Sequence, residues 1–501
     1  MRKWWLFLIV IGLTLMVASP VVASGPDDGQ IVHITFASSA ELAELAAHLD
    51  IWEVHRDAQN PDSGYVVAYI SAADAARLTT TGIEYHVAPG LPLQPETIPG
   101  FECYRTVDEI YAQLDQWAAI YPGFTFLFTT GQSYEGRPLR VMRLTNEATG
   151  TSNKPIFFLM ANIHGRELIT PETALVFMQY LLENYNVDPD VTWLLDEHLI
   201  YILTTANPDG HVKNEPGQPW AYWRKNTHSY GSCSPTDFGV DLNRNSSFHW
   251  GGPGASTNPC DETYRGPSAA SETETTRIES LIASIFPDQR GPDDTDPAPD
   301  NATGVFITLH SYSDLVLWPW GHTSTPAPNA TQLQMLGQRL ASFNGYLPQQ
   351  AVGLYPTSGT TDDWAYGTLG IAAYTFEIGN DGDGFYPDCS RYDALIQPNV
   401  DALLYAAKVV RTPYITSFGP HAQNVTVTQE SVLIGQPFTV QATLNDADSK
   451  NAGQMVVAAQ AYLGKPPWDG GVPTSLSAVD GAFNEAEEDV QGQVATAGMT
   501  R

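Results

Sequence analysis

Positive charge is scarce in this chain. Its 501 residues carry 24 Lys and Arg against 56 Asp and Glu, a formal net charge of −32. A surface of that sign repels phosphate backbones and anionic lipid, which excludes nucleic acid and acidic membranes as partners. It keeps the protein soluble and would draw cationic ligands. Cysteine is rare too: there are four, Cys103, Cys233, Cys260 and Cys389. Beyond the amino-terminal segment no apolar run is long enough to cross a bilayer, so no membrane span is expected later in the chain.

The amino terminus itself reads as a leader. Arg2 and Lys3 precede the apolar stretch Trp4–Ala18, and Val21-Val22-Ala23 offers small residues for cleavage. That is the pattern of a secretory signal over residues 1–23, and it places the mature protein outside the cell. Four cysteines fit an oxidising compartment and allow three pairings. Cys233 with Cys260 is favoured because the loop it closes is short and polar. Cys103 would then pair with Cys389, tying the start of the central domain to its end.

With 43% hydrophobic residues, a chain of this length buries a large core and holds more than one domain. Residues 24–98 read as a small α+β domain with a linker. Ile31–Phe36, Tyr65–Ile70 and Ile83–Val87 have strand patterns, and Ala40–Leu49 and Ala72–Leu78 helical ones. Prolines 89, 92 and 95 stiffen the linker. Residues 99–412 alternate strands and helices. They predict a mixed, largely parallel central sheet with helices on both faces. Helices are expected at Val107–Ile120, Pro171–Tyr185 (capped by Thr170), Ala270–Ile285 and Ala330–Phe343. The acidic, proline-rich stretch Asp288–Asp300 reads as an exposed loop, and its hard oxygen ligands would suit Ca²⁺. Residues 413–501 are Val- and Thr-rich with alternation at Val425–Val427 and Phe438–Ala442, which suggests a β-sandwich-like module, incomplete toward its acidic end.

The chemistry sits at strand ends. Ile156–Met160, Leu199–Leu203, Val305–Leu309 and Ala372–Phe376 read as buried strands, and they lead into His164, Asn207, His310 and Glu377. Ligands of open α/β sheets bind beyond the carboxyl ends of the strands, so these residues should converge on one crevice. His164 and Glu167, three apart, point the same way from one turn. With His310 they make a His₂Glu set that leaves one position of a tetrahedral Zn²⁺ open for water. Glu377 is the candidate base for that water.

Seven motifs then occur in one order: Ser133-Tyr134-Glu135-Gly136-Arg137, His164-Gly165-Arg166-Glu167, Asn207-Pro208-Asp209-Gly210, Trp223-Arg224-Lys225-Asn226, Asp241-Leu242-Asn243-Arg244-Asn245, His310-Ser311-Tyr312-Ser313 and Tyr374-Thr375-Phe376-Glu377. On these, residues 100–412 resemble the zinc metallocarboxypeptidases of the carboxypeptidase A/B type. The resemblance implies a carboxypeptidase-like fold and hydrolysis of the last peptide bond of peptides and proteins. It implies Zn²⁺ on His164, Glu167 and His310, with Asp241 orienting His164 and a Cys233–Cys260 disulfide. Glu377 would serve as base and Arg224 would stabilise the developing oxyanion. Asn243 and Arg244 would clamp the free carboxylate under Tyr355, with Arg166, Ser311 and Tyr312 along the groove. Asp362, just before the Asp363-Trp364 step, would floor the side-chain pocket and favour C-terminal Lys or Arg; solvated or tied to its own loop, it would leave a broad specificity instead. The amino-terminal domain is compatible with an inhibitory propeptide or with an accessory folding domain. The linker, however, lacks the Lys or Arg at which such propeptides are usually removed.

Two other readings compete. A same-fold murein-peptide amidase or deacylase would share HxxE and a later His, but has no need of Asn243, Arg244 and Tyr355. A non-catalytic surface-binding protein working through its carboxy-terminal module would be expected to have lost a ligand or the base, and none is lost.

Overall fold

The computed structural model describes residues 29–57, 59–87, 103–215, 222–429, 431–447 and 454–496. The leader at 1–23 and the prolines of the linker lie outside the described residues.

The amino-terminal domain is a four-stranded antiparallel sheet of β1 (Gln30–Phe36), β2 (Asp50–Asp57), β3 (Asn60–Ile70) and β4 (Tyr85–Val87), in the order β2-β3-β1-β4. Two helices cover it. Ser38 caps Ser39–His48, and Ser71 with Asp74 forms a capping box on Ala72–Thr81. Leu42, Leu45 and Leu78 drop from the helices onto Val32, Ile34, Val66 and Ala68. Strand β2 is absent from the sequence expectations, because Asp50, Glu53 and Arg56 interrupt its alternation. It proves to be the element that meets the site.

The central domain holds eight strands: β5 (Thr125–Gln132), β6 (Pro138–Leu144), β7 (Ile156–Ala161), β8 (Leu199–Leu203), β9 (Val305–His310), β10 (Leu315–Trp318), β11 (Leu347–Gln350) and β12 (Ala372–Glu377). Their order is β11-β10-β12-β9-β7-β8-β6-β5. The inner four are parallel, and antiparallel pairings join β6 to β8 and β10 to β12. Strands β7, β8 and β9 are buried almost throughout, which is why they read as continuous apolar runs. Helices Val107–Ile120, Ile169–Glu183, Thr273–Ile285, Ala330–Asn344 and Tyr392–Lys408 flank the sheet. One cap differs from expectation. The second helix begins at Ile169, so Thr170 lies inside it, and its hydroxyl donates to the Glu167 carbonyl at 2.8 Å.

Both disulfides form, Cys103–Cys389 and Cys233–Cys260. The acidic stretch at 288–300 holds no group of three metal-ligating side chains of its own among the described residues. Its Asp288 and Asp296 instead accept the backbone N–H groups of Arg290 and Asp293. The Ca²⁺ expectation therefore has no support.

The carboxy-terminal module is one five-stranded antiparallel sheet: β13 (His421–Val427), β14 (Phe438–Asn445), β15 (Ala459–Tyr462), β16 (Pro473–Ala478) and β17 (Glu487–Val494), in the order β13-β14-β17-β16-β15. Leu476 and Val490 lie on its buried face. A second sheet to complete a sandwich is not among the described residues.

Candidate active site

Parallel strands bring the site together. Glu377 ends β12 directly opposite His310, which ends β9. His164 lies three residues past β7, in a turn that packs tightly on the next loop. A Cβ on Gly165 would fall 2.3 Å from the Gly210 carbonyl, so this position tolerates only glycine. Asn207, after β8, stays outside the crevice. Its amide donates to the Ile163 and Lys225 carbonyls and its oxygen caps the helix starting at Pro208, so it braces the loops beneath the site.

Three donors face one point. His164 Nδ1 lies 2.6 Å from Glu167 Oε1, and His310 Nδ1 lies 3.2 Å from both His164 Nδ1 and Glu167 Oε2. Ligands about 2.0–2.1 Å from a tetrahedral Zn²⁺ stand about 3.3 Å apart; the two 3.2 Å separations match that, and the 2.6 Å His164–Glu167 pair opens by a few tenths of an ångström to join them. The two rings are inclined at 64°, which lets both in-plane lone pairs meet. All three side chains are buried, and the 3.2 Å approach of His310 Nδ1 to Glu167 Oε2 lacks hydrogen-bond geometry. The donor set therefore suits a metal ion better than it suits itself. His164 Nε2 is 3.2 Å from Asp241 Oδ1, the arrangement that fixes a ligand imidazole's tautomer.

The remaining expected residues line one small cavity of about 60 Å³ with the triad: Arg166, Arg224, Asn243, Arg244, Ser311, Tyr312, Tyr355, Asp362 and Glu377. Asp241 does not line it. Asp241 instead holds Arg224, whose Nε and Nη2 donate to Oδ2 at 3.1 and 2.8 Å. Arg244 donates to the Gly254 and Asn243 carbonyls, which aim its fork. Burial pushes the Glu377 carboxyl up to about 7, and the Glu167 charge adds to the shift although His310 opposes it. Burial also raises Asp362, with Asp363 beside it, and Thr375 Oγ1 donates to its Oδ2 at 3.2 Å.

Strand β2 supplies what the sequence reading missed. Asp50 accepts Arg166 in a two-pronged pair at 2.5 and 2.8 Å, and both side chains are buried. Burial alone would raise the Asp50 carboxyl, but the Arg166 charge and its hydrogen bonds outweigh that and hold it below the usual range. The Arg166 guanidinium lies 5.7 Å from the Trp52 ring and 4.0 Å from the Phe385 ring, which meet each other edge-on. Tyr312 donates to Glu53 at 3.2 Å, and Tyr355 packs against the amino-terminal core. Ile51 and Trp52 complete the cavity wall.

A family model described as zinc carboxypeptidase matches residues 110–401, more than half of the chain. Mouse (Mus musculus) carboxypeptidase A2 is 36% identical over 290 residues, covering 56% of this chain and 64% of that protein. Carboxypeptidase B of the crayfish Astacus astacus is 32% identical over 289 residues, covering 56% of this chain and 88% of that one. The match thus spans less than two thirds of the mouse protein's length. Among solved structures, carboxypeptidase A of Helicoverpa armigera shares the fold with a TM-score of 0.59 at 23% identity, covering 77% of this chain and 98% of that one. The motifs, the sheet that gathers them and these matches agree that the chain belongs to the zinc carboxypeptidase family.

Proposed function

We propose that the mature protein is a secreted zinc carboxypeptidase that removes the last residue of peptides and proteins, and that its amino-terminal domain holds it as an inactive precursor. The observation carrying this reading is one cavity lined both by the His164–Glu167–His310 triad and by an Asn243–Arg244 pair suited to a carboxylate. Zinc bound there supplies a Lewis acid that polarises a carbonyl and acidifies water.

The side chains do the rest. Arg244, with its orientation fixed by two backbone carbonyls, offers two parallel N–H groups to the substrate's terminal carboxylate. Asn243 stands beside it, its oxygen accepting the Thr361 N–H at 3.0 Å, which turns its amide toward the cavity. Tyr355 adds a hydroxyl. Glu377 takes a proton from the attacking water and delivers it to the departing amine, and a carboxyl poised near neutrality suits both transfers. Arg224 keeps its charge beside Asp241 and stabilises the oxyanion. A peptide with a free C-terminus should lose its last residue and its C-terminal amide should not. Equal cleavage of the two, followed by mass spectrometry, would remove the exopeptidase claim.

Asp362 supports a preference for basic side chains. It is buried beside a second carboxylate, Asp363, so a Lys or Arg side chain arriving in the pocket relieves repulsion as well as forming a pair. We expect kcat/KM for Lys-ended peptides to exceed that for Leu-ended ones by about 10-fold or more, and Asp362→Ala to erase the difference. Because burial raises this carboxyl, the preference should fade as pH falls through its elevated range. A flat ratio across variants and pH refutes the assignment.

A further inference from the structure

We propose a second metal site, on the outer wall of the side-chain pocket, formed by His249, Asp294 and His322 and selective for a divalent transition ion such as Zn²⁺. It is separate from the catalytic triad. Each of the three side chains offers one donor atom, and these atoms lie within 4.8 Å of one another.

His322 is built like a ligand. Its Nδ1 is 2.8 Å from Asp363 Oδ2, and Asp363 is itself fixed by the backbone N–H groups of Gly321 and His322. A buried carboxylate on one ring nitrogen sets the tautomer and leaves the other, Nε2, free to coordinate. Asp241 stands in the same relation to His164. His249 Nε2 lies 2.9 Å from Asp294 Oδ1, so a nitrogen and a carboxylate oxygen already meet there. Two imidazoles and one carboxylate select Zn²⁺ and its transition-metal neighbours, whereas Ca²⁺ requires an all-oxygen set.

One movement is required. The His249 and His322 rings are stacked, 4.0 Å between centroids and 12° between planes. In-plane lone pairs on parallel rings cannot reach one ion, so His249 must turn. It is the side chain able to do so: 37% exposed and on a loop, whereas His322 is 8% exposed and held by Asp363. The donors already lie within 4.8 Å of one another, so reaching the roughly 3.3 Å of a tetrahedral site is within the range of one rotamer change. A bound ion would pin the acidic insertion carrying Asp294 against the residue that follows Asp362.

The test is zinc counting on the full chain. After equilibrium dialysis against micromolar free Zn²⁺, wild type should hold one equivalent more than His249→Ala and one more than Asp294→Asn. Both substitutions are at exposed positions, and thermal melts check their folding. The difference between wild type and variants is the readout, so an empty catalytic triad would lower every count without altering it. Equal counts in wild type and both variants overturn the proposal, because any extra zinc would then sit elsewhere.

Discussion

Glu377→Gln should lower kcat on Lys-ended peptides by about 10²–10⁴-fold and leave the zinc content unchanged. The amide matches the carboxylate in size and still lines the cavity, so the loss isolates proton transfer from packing. Among the described residues the Glu377 side chain forms no hydrogen bond to His164, Glu167 or His310, so metal retention is expected and is measured by elemental analysis. The pH profile gives a second check. Burial raises Glu377 to about 7, so activity falls as acidification protonates the base. A bound cation favours the ionised form, which moves the midpoint of that acid limb below 7. In Glu377→Gln the limb disappears. A variant that keeps both zinc and wild-type turnover would show that another group accepts the proton.

Asp50→Ala should activate the uncleaved chain. In the docked state Arg166 is buried beside the Trp52 and Phe385 rings and its charge is met by Asp50. Removing one partner of a buried pair typically costs about 3–5 kcal/mol, because the other charge is left without compensation. Undocking returns Arg166 to water, so the cost falls on the closed form alone. At about 1.4 kcal/mol per tenfold, the open population should rise by roughly two to three and a half orders of magnitude. The readout is hydrolysis of a peptide substrate by protein shown on a gel to be intact. Because burial's upward push on Asp50 is overcome by Arg166, its folded pKa lies below the unfolded value. The lock is therefore in place above the ordinary carboxylate range and weakens only as pH falls through that depressed value. An Asp50→Ala chain that folds normally yet stays as silent as wild type would refute the lock.

The catalytic crevice was legible because its residues follow buried parallel strands. His310 and Glu377 close β9 and β12, and continuous runs such as Val305–Leu309 can be read without knowing the neighbours. The HGRE turn was legible because its spacing carries the chemistry. Strand β2 was not, since Asp50 and Glu53 look like loop residues until Arg166 and Tyr312 of another domain are known to face them. Thr170 misled as a cap because the helix begins one residue earlier, at Ile169, and the Thr170 hydroxyl oxygen accepts the Asn162 N–H instead. The meeting of Asp294 with His249 and His322 joins residues far apart in the chain, and no local pattern encodes it.

All four cysteines lie at or after Cys103, so none belongs to the amino-terminal domain. No covalent staple would keep that domain once the linker is cut. Its grip would then become an ordinary bimolecular equilibrium, sensitive to how much of the severed piece remains nearby. Where the cleaved protein is crowded, the fragment would rebind and re-close the groove. Where it spreads into a larger volume, the fragment would be lost and the proposed peptidase activity would persist, so dilution itself would become part of the proposed switch.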